Sequence, residues 1–429
     1  MFNGKNNMMN YITKKYYLQA GILIVMIVSI WACTSMDEGY KEFLKNGETS
    51  YTGKIDSLKV FSGKNRVKVK GLFISDPKIT ECRIYWNTGA DSISVPVTRT
   101  ENIDTLDVII DGLPENIYSF EVRTLDAEGN KSVAVSEIGI VYGNRYQNSL
   151  YNRPEISSYT SATDPNHKLT IEFASMDVSL GPVATEIKYT DIDDVEQNVV
   201  VPIDSSSVVL ENYNYLKPYI SRTLFLPEPT SLDVFYSDFQ TGDPVVKYLG
   251  NNAVPFKNSS RCCNGIGVWG VLDSPWITND AAKNHYDGID YYGGWASSDS
   301  GSFNLSSLSG GTPITNGKVY QTITLPPGTY KFKCTPKGLN GGLYSTYSIP
   351  NDFVYLAAAK GNTLPDSEAG ILETDPSTLG FVRFDKSMSP DVFETTFTIN
   401  NIETVSMGIS ATQGSNKFCP ILSFSLEKM

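Results

Sequence analysis

The chain has 429 residues and a formal net charge of −12, and an acidic chain whose one basic cluster, Lys64 to Lys70, reads as a solvated strand face does not seek phosphate backbones, which argues against nucleic acid as a partner. Charged residues are 19% and aromatic residues 11% of the total, a balance that suits β-rich exported proteins better than helical cytosolic ones. Only two His occur, His167 and His285, so there is no basis for a His-based metal or hydrolytic centre.

The first element is Tyr16 to Cys33. Lys5, Lys14 and Lys15 precede an apolar run, Leu18 to Ala32, that falls short of the about 20 residues needed to span a bilayer, so it reads as a signal-peptide core. Ile30-Trp31-Ala32-Cys33 resembles the lipobox of bacterial lipoproteins, with Trp31 bulkier than the usual occupant. That resemblance implies removal of residues 1–32, lipidation of Cys33 and a membrane anchor. Asp37-Glu38 resembles the acidic tag that sends Bacteroidota-type lipoproteins to the outer face of the outer membrane. Residues 33–53, polar with Gly39, Gly47 and Gly53, read as a tether.

Residues 54–142 alternate in the β manner. Val67 to Lys70, Cys82 to Trp86, Ser92 to Val95, Leu106 to Ile110, Tyr118 to Val122 and Val133 to Val135 are strand-like and separated by turn residues, as in an antiparallel sandwich. The stretch from Leu113 through Tyr118 to Gly129-Asn130 resembles the F–G region of fibronectin type III domains, where a Leu and a later Tyr form a tyrosine corner. Residues 155–243 echo this unit: Thr80-Glu81, Ile84-Tyr85 and Val95-Pro96 find counterparts in Thr185-Glu186, Ile187 to Tyr189 and Val201-Pro202. Asp191 to Glu196 reads as a solvated hairpin tip, with a calcium loop as the alternative.

Residues 242–260 read as a linker with Pro244 and Pro255. In 261–429 the strands alternate strictly: Val319, Ile323 and Leu325 share one face, and Tyr330, Phe332 and Cys334 point opposite to Lys331 and Lys333. Phe353 to Ala359, Phe393 to Ile399, Val405 to Ile409 and Leu422 to Leu426 continue the series, which predicts a jelly roll of two packed sheets. The expected fold class is therefore all-β: two Ig/fibronectin III-like sandwiches in tandem, then a C-terminal β jelly roll. Gly317 to Phe332, with its Leu325-Pro326-Pro327-Gly328 turn, resembles a strand pair of galactose-binding-like jelly rolls, including many carbohydrate-binding modules. Such modules often carry structural calcium; no other cofactor is implied.

Cys262, Cys263, Cys334 and Cys419 can pair in three ways or remain free thiols, and the sequence leaves both open. The stretch Trp269 to Trp295 is the richest in chemistry. A sugar offers C–H patches on a ring face and hydroxyls at its rim, so its site needs an aromatic platform edged by carboxylates and amides. Tyr291, Tyr292 and Trp295 beside Gly293-Gly294 predict an exposed loop, because consecutive aromatic residues cannot all face one core. Asp287 and Asp290 supply the edge, with Tyr344 and Tyr347 as further platform candidates, whereas Trp269 and Trp276 read as packing residues. Nothing raises Asp287 and Asp290 to a catalytic carboxylate pair, so no enzyme is expected.

As a whole, the chain resembles the surface lipoproteins of Bacteroidota glycan-uptake, starch-utilisation-like systems. The resemblance implies an outer-membrane, outward-facing lipoprotein that binds a polysaccharide or glycan without catalysis, beside transporter components. The alternative is an adhesive or structural surface protein whose aromatic loops contact a protein. A flat apolar patch would mark the protein contact, and a groove mixing rings with Asp and Asn would mark the glycan site.

Overall fold

The computed structural model describes residues 14, 16–22, 51–307, 311–337, 352–384 and 392–429. Cys33, most of the leader and tether, and Tyr344 and Tyr347 lie outside the described residues. The chain forms two compact units, the first reaching Tyr146 and including Thr230–Asp233, the second holding the remainder.

In the first unit the alternation of apolar residues produces seven strands, β1 (Asp56–Lys64), β2 (Arg66–Phe73), β3 (Ile79–Trp86), β4 (Asp91–Pro96), β5 (Asp104–Asp111), β6 (Asn116–Asp126) and β7 (Val135–Tyr142). Their order is β4-β3-β6-β7-β1-β2-β5. Strand β1 turns the corner, pairing antiparallel with β2 and meeting β7 in parallel only at Gly63 and Lys64. This is the three-on-four arrangement of a fibronectin-like sandwich. Val67, Val69, Cys82, Ile84, Phe120 and Val122 fill its core. The tyrosine corner is present: Leu113 is buried and the Tyr118 hydroxyl donates to the Pro114 carbonyl at 3.0 Å.

The second unit opens with β8 (Glu155–Ser161), β9 (Leu169–Phe173), β10 (Pro182–Thr190), β11 (Glu196–Pro202), β12 (Ser207–Leu210), β13 (Tyr219–Phe225), β14 (Phe235–Tyr236), β15 (Gln240–Gly242) and β16 (Val245–Lys247). The sheets β11-β10-β13-β14 and β12-β9-β8-β16 repeat the order of the first sandwich. At the β10–β11 tip the Asp191 carboxylate accepts from the amides of Asp193 and Val195 and from Gln197 Nε2, so it closes a hairpin.

The distal domain contains β17 (Asn258–Arg261), β18 (Trp269–Leu272), β19 (Ile277–Thr278), β20 (His285–Tyr286), β21 (Tyr291–Tyr292), β22 (Gly294–Ala296), β23 (Ser302–Ser306), β24 (Ile314–Leu325), β25 (Gly328–Pro336), β26 (Phe353–Lys360), β27 (Thr378–Arg383), β28 (Phe393–Ile399), β29 (Glu403–Gln413) and β30 (Phe418–Lys428). A seven-stranded sheet, β17-β18-β22-β23-β30-β25-β28, packs on a five-stranded sheet, β19-β24-β29-β26-β27. Val319, Ile323, Leu325, Phe332, Met407, Ile409 and Phe424 fill the space between them. Outside that core, Lys331 and Lys333 pair with Glu394 and Glu427.

The stretch expected as a linker, 242–260, is structure. It supplies the last residue of β15, all of β16 and the start of β17, and Tyr248, Leu249 and Phe256 are buried in the distal core. Proline and paired Asn marked bends there, not freedom. The buried Gln321 amide fixes one of those bends, bonding both the amide and the carbonyl of Gly250 at 3.1 and 2.6 Å.

Candidate functional site

Between β19 and β22 the chain leaves the sheets and builds a small projection around the hairpin β20–β21. Its base is fixed by amides. Asn279 Oδ1 accepts from the amides of Ala282 and Lys318 at 3.0 and 2.8 Å, and Asn284 Nδ2 donates to the carbonyls of Ser306 and Thr312 at 2.7 Å each. Gly293 lets the returning strand pass: a β-carbon there would lie 1.9 Å from the Ala282 carbonyl oxygen.

Above the base, His285 lies buried and stacked on the Trp269 indole, ring centroids 3.9 Å apart and planes at 21°. Neither imidazole nitrogen has a hydrogen-bond partner among the described residues. Burial pushes its pKa down to about 4, so the ring is neutral at pH 7.

The turn is held by Asp287. Its Oδ1 accepts from the amides of Ile289 and Asp290 at 3.0 Å each and its Oδ2 from the Cys263 amide at 3.2 Å. Those hydrogen bonds, led by the Asp290 amide, hold its carboxyl below the usual range. Desolvation, then the Asp287 and Asp290 charges, push the Tyr292 phenol up.

This frame leaves two rings in solvent. Tyr286 and Tyr291, opposite one another in the hairpin register, are 57% and 59% exposed, with centroids 4.8 Å apart and planes at 32°. The Tyr286 hydroxyl donates to the Gly288 carbonyl at 2.8 Å. Asp290 is exposed beside them. Ile289 is 80% exposed, as is Ile266 at 82% in the loop whose Cys263 amide bonds Asp287.

Two sequence expectations are corrected. Trp295 is not a loop platform: it is 4% exposed, inside the distal core, with Nε1 donating to the Phe256 carbonyl at 2.9 Å. The physical reason is Gly294, whose φ of +87° turns the chain back into β22 before the indole is reached. Asp287 is not a free edge acceptor, because three backbone amides, two in its own turn and one in the neighbouring loop, occupy the carboxylate. Tyr291 is displayed as expected and Tyr292 is half-buried against Asp287. Sequence reasoning missed Tyr286, whose signal was the Tyr-Asp-Gly-Ile-Asp-Tyr symmetry of a short hairpin. Trp276 packs in the core with Nε1 on the Asn251 carbonyl, whereas Trp269 serves as the floor beneath His285.

Two clefts lie elsewhere. One of about 670 Å³ in the second unit is lined by Tyr213, Tyr215, Lys217, Asp243 and Tyr248, and one of about 600 Å³ in the first by Tyr85, Trp86, Glu121, Arg123 and Lys131. Neither holds a residue expected from sequence to bind ligand. Among the described residues, no three His, Cys, Asp or Glu side chains group as metal ligands.

A family model described as a domain of unknown function, DUF4998, matches residues 33–235, and a second, DUF5013, matches residues 250–408. No curated protein matches the chain. Among solved structures, the chain is similar to the chicken CNTN1 FN1-FN3 domains, with 11% identity over 46% of this chain and 69% of that one and a TM-score of 0.28. It is also similar to a two-domain fibronectin type III segment of chicken tenascin, with 12% identity over 44% of this chain and 98% of that one and a TM-score of 0.19. The sandwich assignment stands on the strand orders themselves.

Proposed function

We propose that this is a surface lipoprotein of a Bacteroidota glycan-uptake system, anchored through Cys33 to the outer membrane and facing outward, which binds a polysaccharide without catalysis. The observation that carries the reading is the Tyr286–Tyr291 pair: two rings packed face on face, each more than half exposed with its outer face open, on a hairpin whose turn is tied by its own hydrogen bonds. A prepaid platform of this kind loses little entropy on binding, and each ring can cover one C–H face of a sugar. Asp290 and the Tyr286 hydroxyl stand at the edge for ring hydroxyls. Catalysis is not part of the proposal, since Asp287 is committed to the turn and glycoside hydrolysis needs two available carboxyl groups across a cleft.

Exposed Ile266 and Ile289 favour a second reading, contact with a protein such as a transporter subunit, because aliphatic tips suit a dry protein interface better than a wet sugar. Affinity electrophoresis of the full chain through gels cast with plant, host and microbial polysaccharides separates the two. Retardation by a particular polysaccharide, lost in a Tyr286→Ala, Tyr291→Ala variant that melts like the parent, supports the glycan reading. Free migration through every gel rejects it in favour of the protein contact.

A further inference from the structure

We infer that Cys262 and Cys263 are a reversible redox pair that closes into a vicinal disulfide at the foot of the tyrosine hairpin. Both are free thiols here, Cys262 buried and Cys263 exposed. Their sulfurs converge over Gly267: a β-carbon on that glycine would lie 2.1 Å from Cys262 Sγ and 3.1 Å from Cys263 Sγ. The backbone turns sharply at this point, with Cys263 and Asn264 both at φ +57° and Gly265 at +82°. Left-handed conformation at a non-glycine pair is uncommon and calls for a local reason.

The burial difference gives each sulfur its part. Cys263, as thiolate, attacks a sulfur of an external disulfide, either oxidised glutathione or the disulfide of a thiol oxidase, and one thiolate departs. Cys262 then gives up its proton and attacks Cys263 Sγ, expelling the second thiolate as the new S–S bond forms. Two electrons pass to the reagent disulfide, and its two thiolates take up the two protons. Adjacent Cα atoms sit about 3.8 Å apart across a trans peptide, short of the usual disulfide span of about 4.4–6.8 Å, so the ring is strained and readily reduced. Because the Cys263 amide bonds Asp287 Oδ2, closing the ring stiffens the loop on which the hairpin turn leans. The pair is thereby a redox latch on the site, and it stands whatever the ligand is.

The test is equilibration of the full chain in glutathione buffers of graded composition, an acid quench with alkylation in denaturant, and peptide mapping. We expect Cys262 and Cys263 to escape alkylation together in oxidising buffers, on a peptide lighter by two hydrogens, and to be recovered as thiols at modest reduced glutathione. A Cys262→Ser variant should instead hold glutathione on Cys263. Alkylation of both residues at every buffer composition, or a bond from either to another cysteine, overturns the inference. If Cys262→Ser takes up no glutathione, Cys263 is not the attacking thiol.

Discussion

The imidazole of His285 rests flat on the indole of Trp269, 3.9 Å between centroids, with both ring nitrogens buried and without a partner among the described residues. A neutral ring leaves one N–H and one lone pair unmet, offset by the stacking; a protonated one would bring a net charge into the same dry contact, at greater cost. The projection that carries Tyr286 and Tyr291 therefore depends on the protonation state of a residue beneath it.

The pH dependence follows with a definite sign. The folded pKa, about 4, lies below the ordinary value of 6.5, so between those limits the unfolded chain binds more protons and stability rises with pH. The contribution is fully present above pH 6.5 and drains away as pH falls toward 4, amounting to about 3 kcal/mol. Denaturation midpoints from pH 7 to 4.5 should fall less steeply in His285→Phe, which keeps the stack and removes the titration. Parallel slopes would show that His285 does not titrate in this way.

Trp295 is a core residue, and its truncation should act as one. Trp295→Ala removes a buried indole and its bond to the Phe256 carbonyl, at a cost of about 3–5 kcal/mol in urea unfolding. Tyr291→Ala, at the exposed position, should cost under about 0.5 kcal/mol. Equal costs would mean that the two rings are not divided between core and surface.

The glycines of the projection should separate two kinds of constraint. Gly293→Ala drives a methyl into the Ala282 carbonyl oxygen and should cost about 1–3 kcal/mol while displacing the hairpin. Gly288, at φ +100° with open space around it, carries only a conformational penalty, so Gly288→Ala should cost about 1–2 kcal/mol and leave the base intact. Thermal melts report the costs, and hydrogen exchange at Asn284 and Gly294 reports the displacement.

Much of the fold was legible because strand alternation is local. The faces of β24 and β25 could be read residue by residue, and the Leu-Pro-x-x-x-Tyr phrase announced a tyrosine corner. The same phrase recurs unremarked at Leu325-Pro326 to Tyr330, whose hydroxyl donates to the Pro326 carbonyl at 2.6 Å as Tyr118 does to Pro114. The site was legible only as a stretch. Trp295 was misread because a Gly-Gly pair signals a turn without saying on which side of it the sheet begins, and Asp287 because an acid before Gly is as suited to capping its own turn as to meeting a ligand. Tyr248 and Phe256 were hidden by irregular spacing, since a segment that crosses the end of a sandwich has no period to betray it.

The recurrent corner gives a matched pair of substitutions. Tyr118→Phe and Tyr330→Phe each delete one hydrogen bond to a carbonyl four residues back and should each cost about 1–2 kcal/mol. The greater cost belongs at Tyr330, which is fully buried and also packs edge-on against Tyr248 at 5.7 Å. A negligible cost at both, by denaturant titration, would remove the corner from the list of features holding these domains.

The central claim is that ligand covers the exposed tyrosine pair, and the direct measurement is tyrosine nitration mapped by mass spectrometry, with and without the polysaccharide that retards the chain. Tyr286 and Tyr291 should be protected by ligand while the exposed Tyr51 and Tyr151 stay equally reactive. Protection of Tyr215 in the cleft, with Tyr286 and Tyr291 unchanged, would contradict the account and move the site.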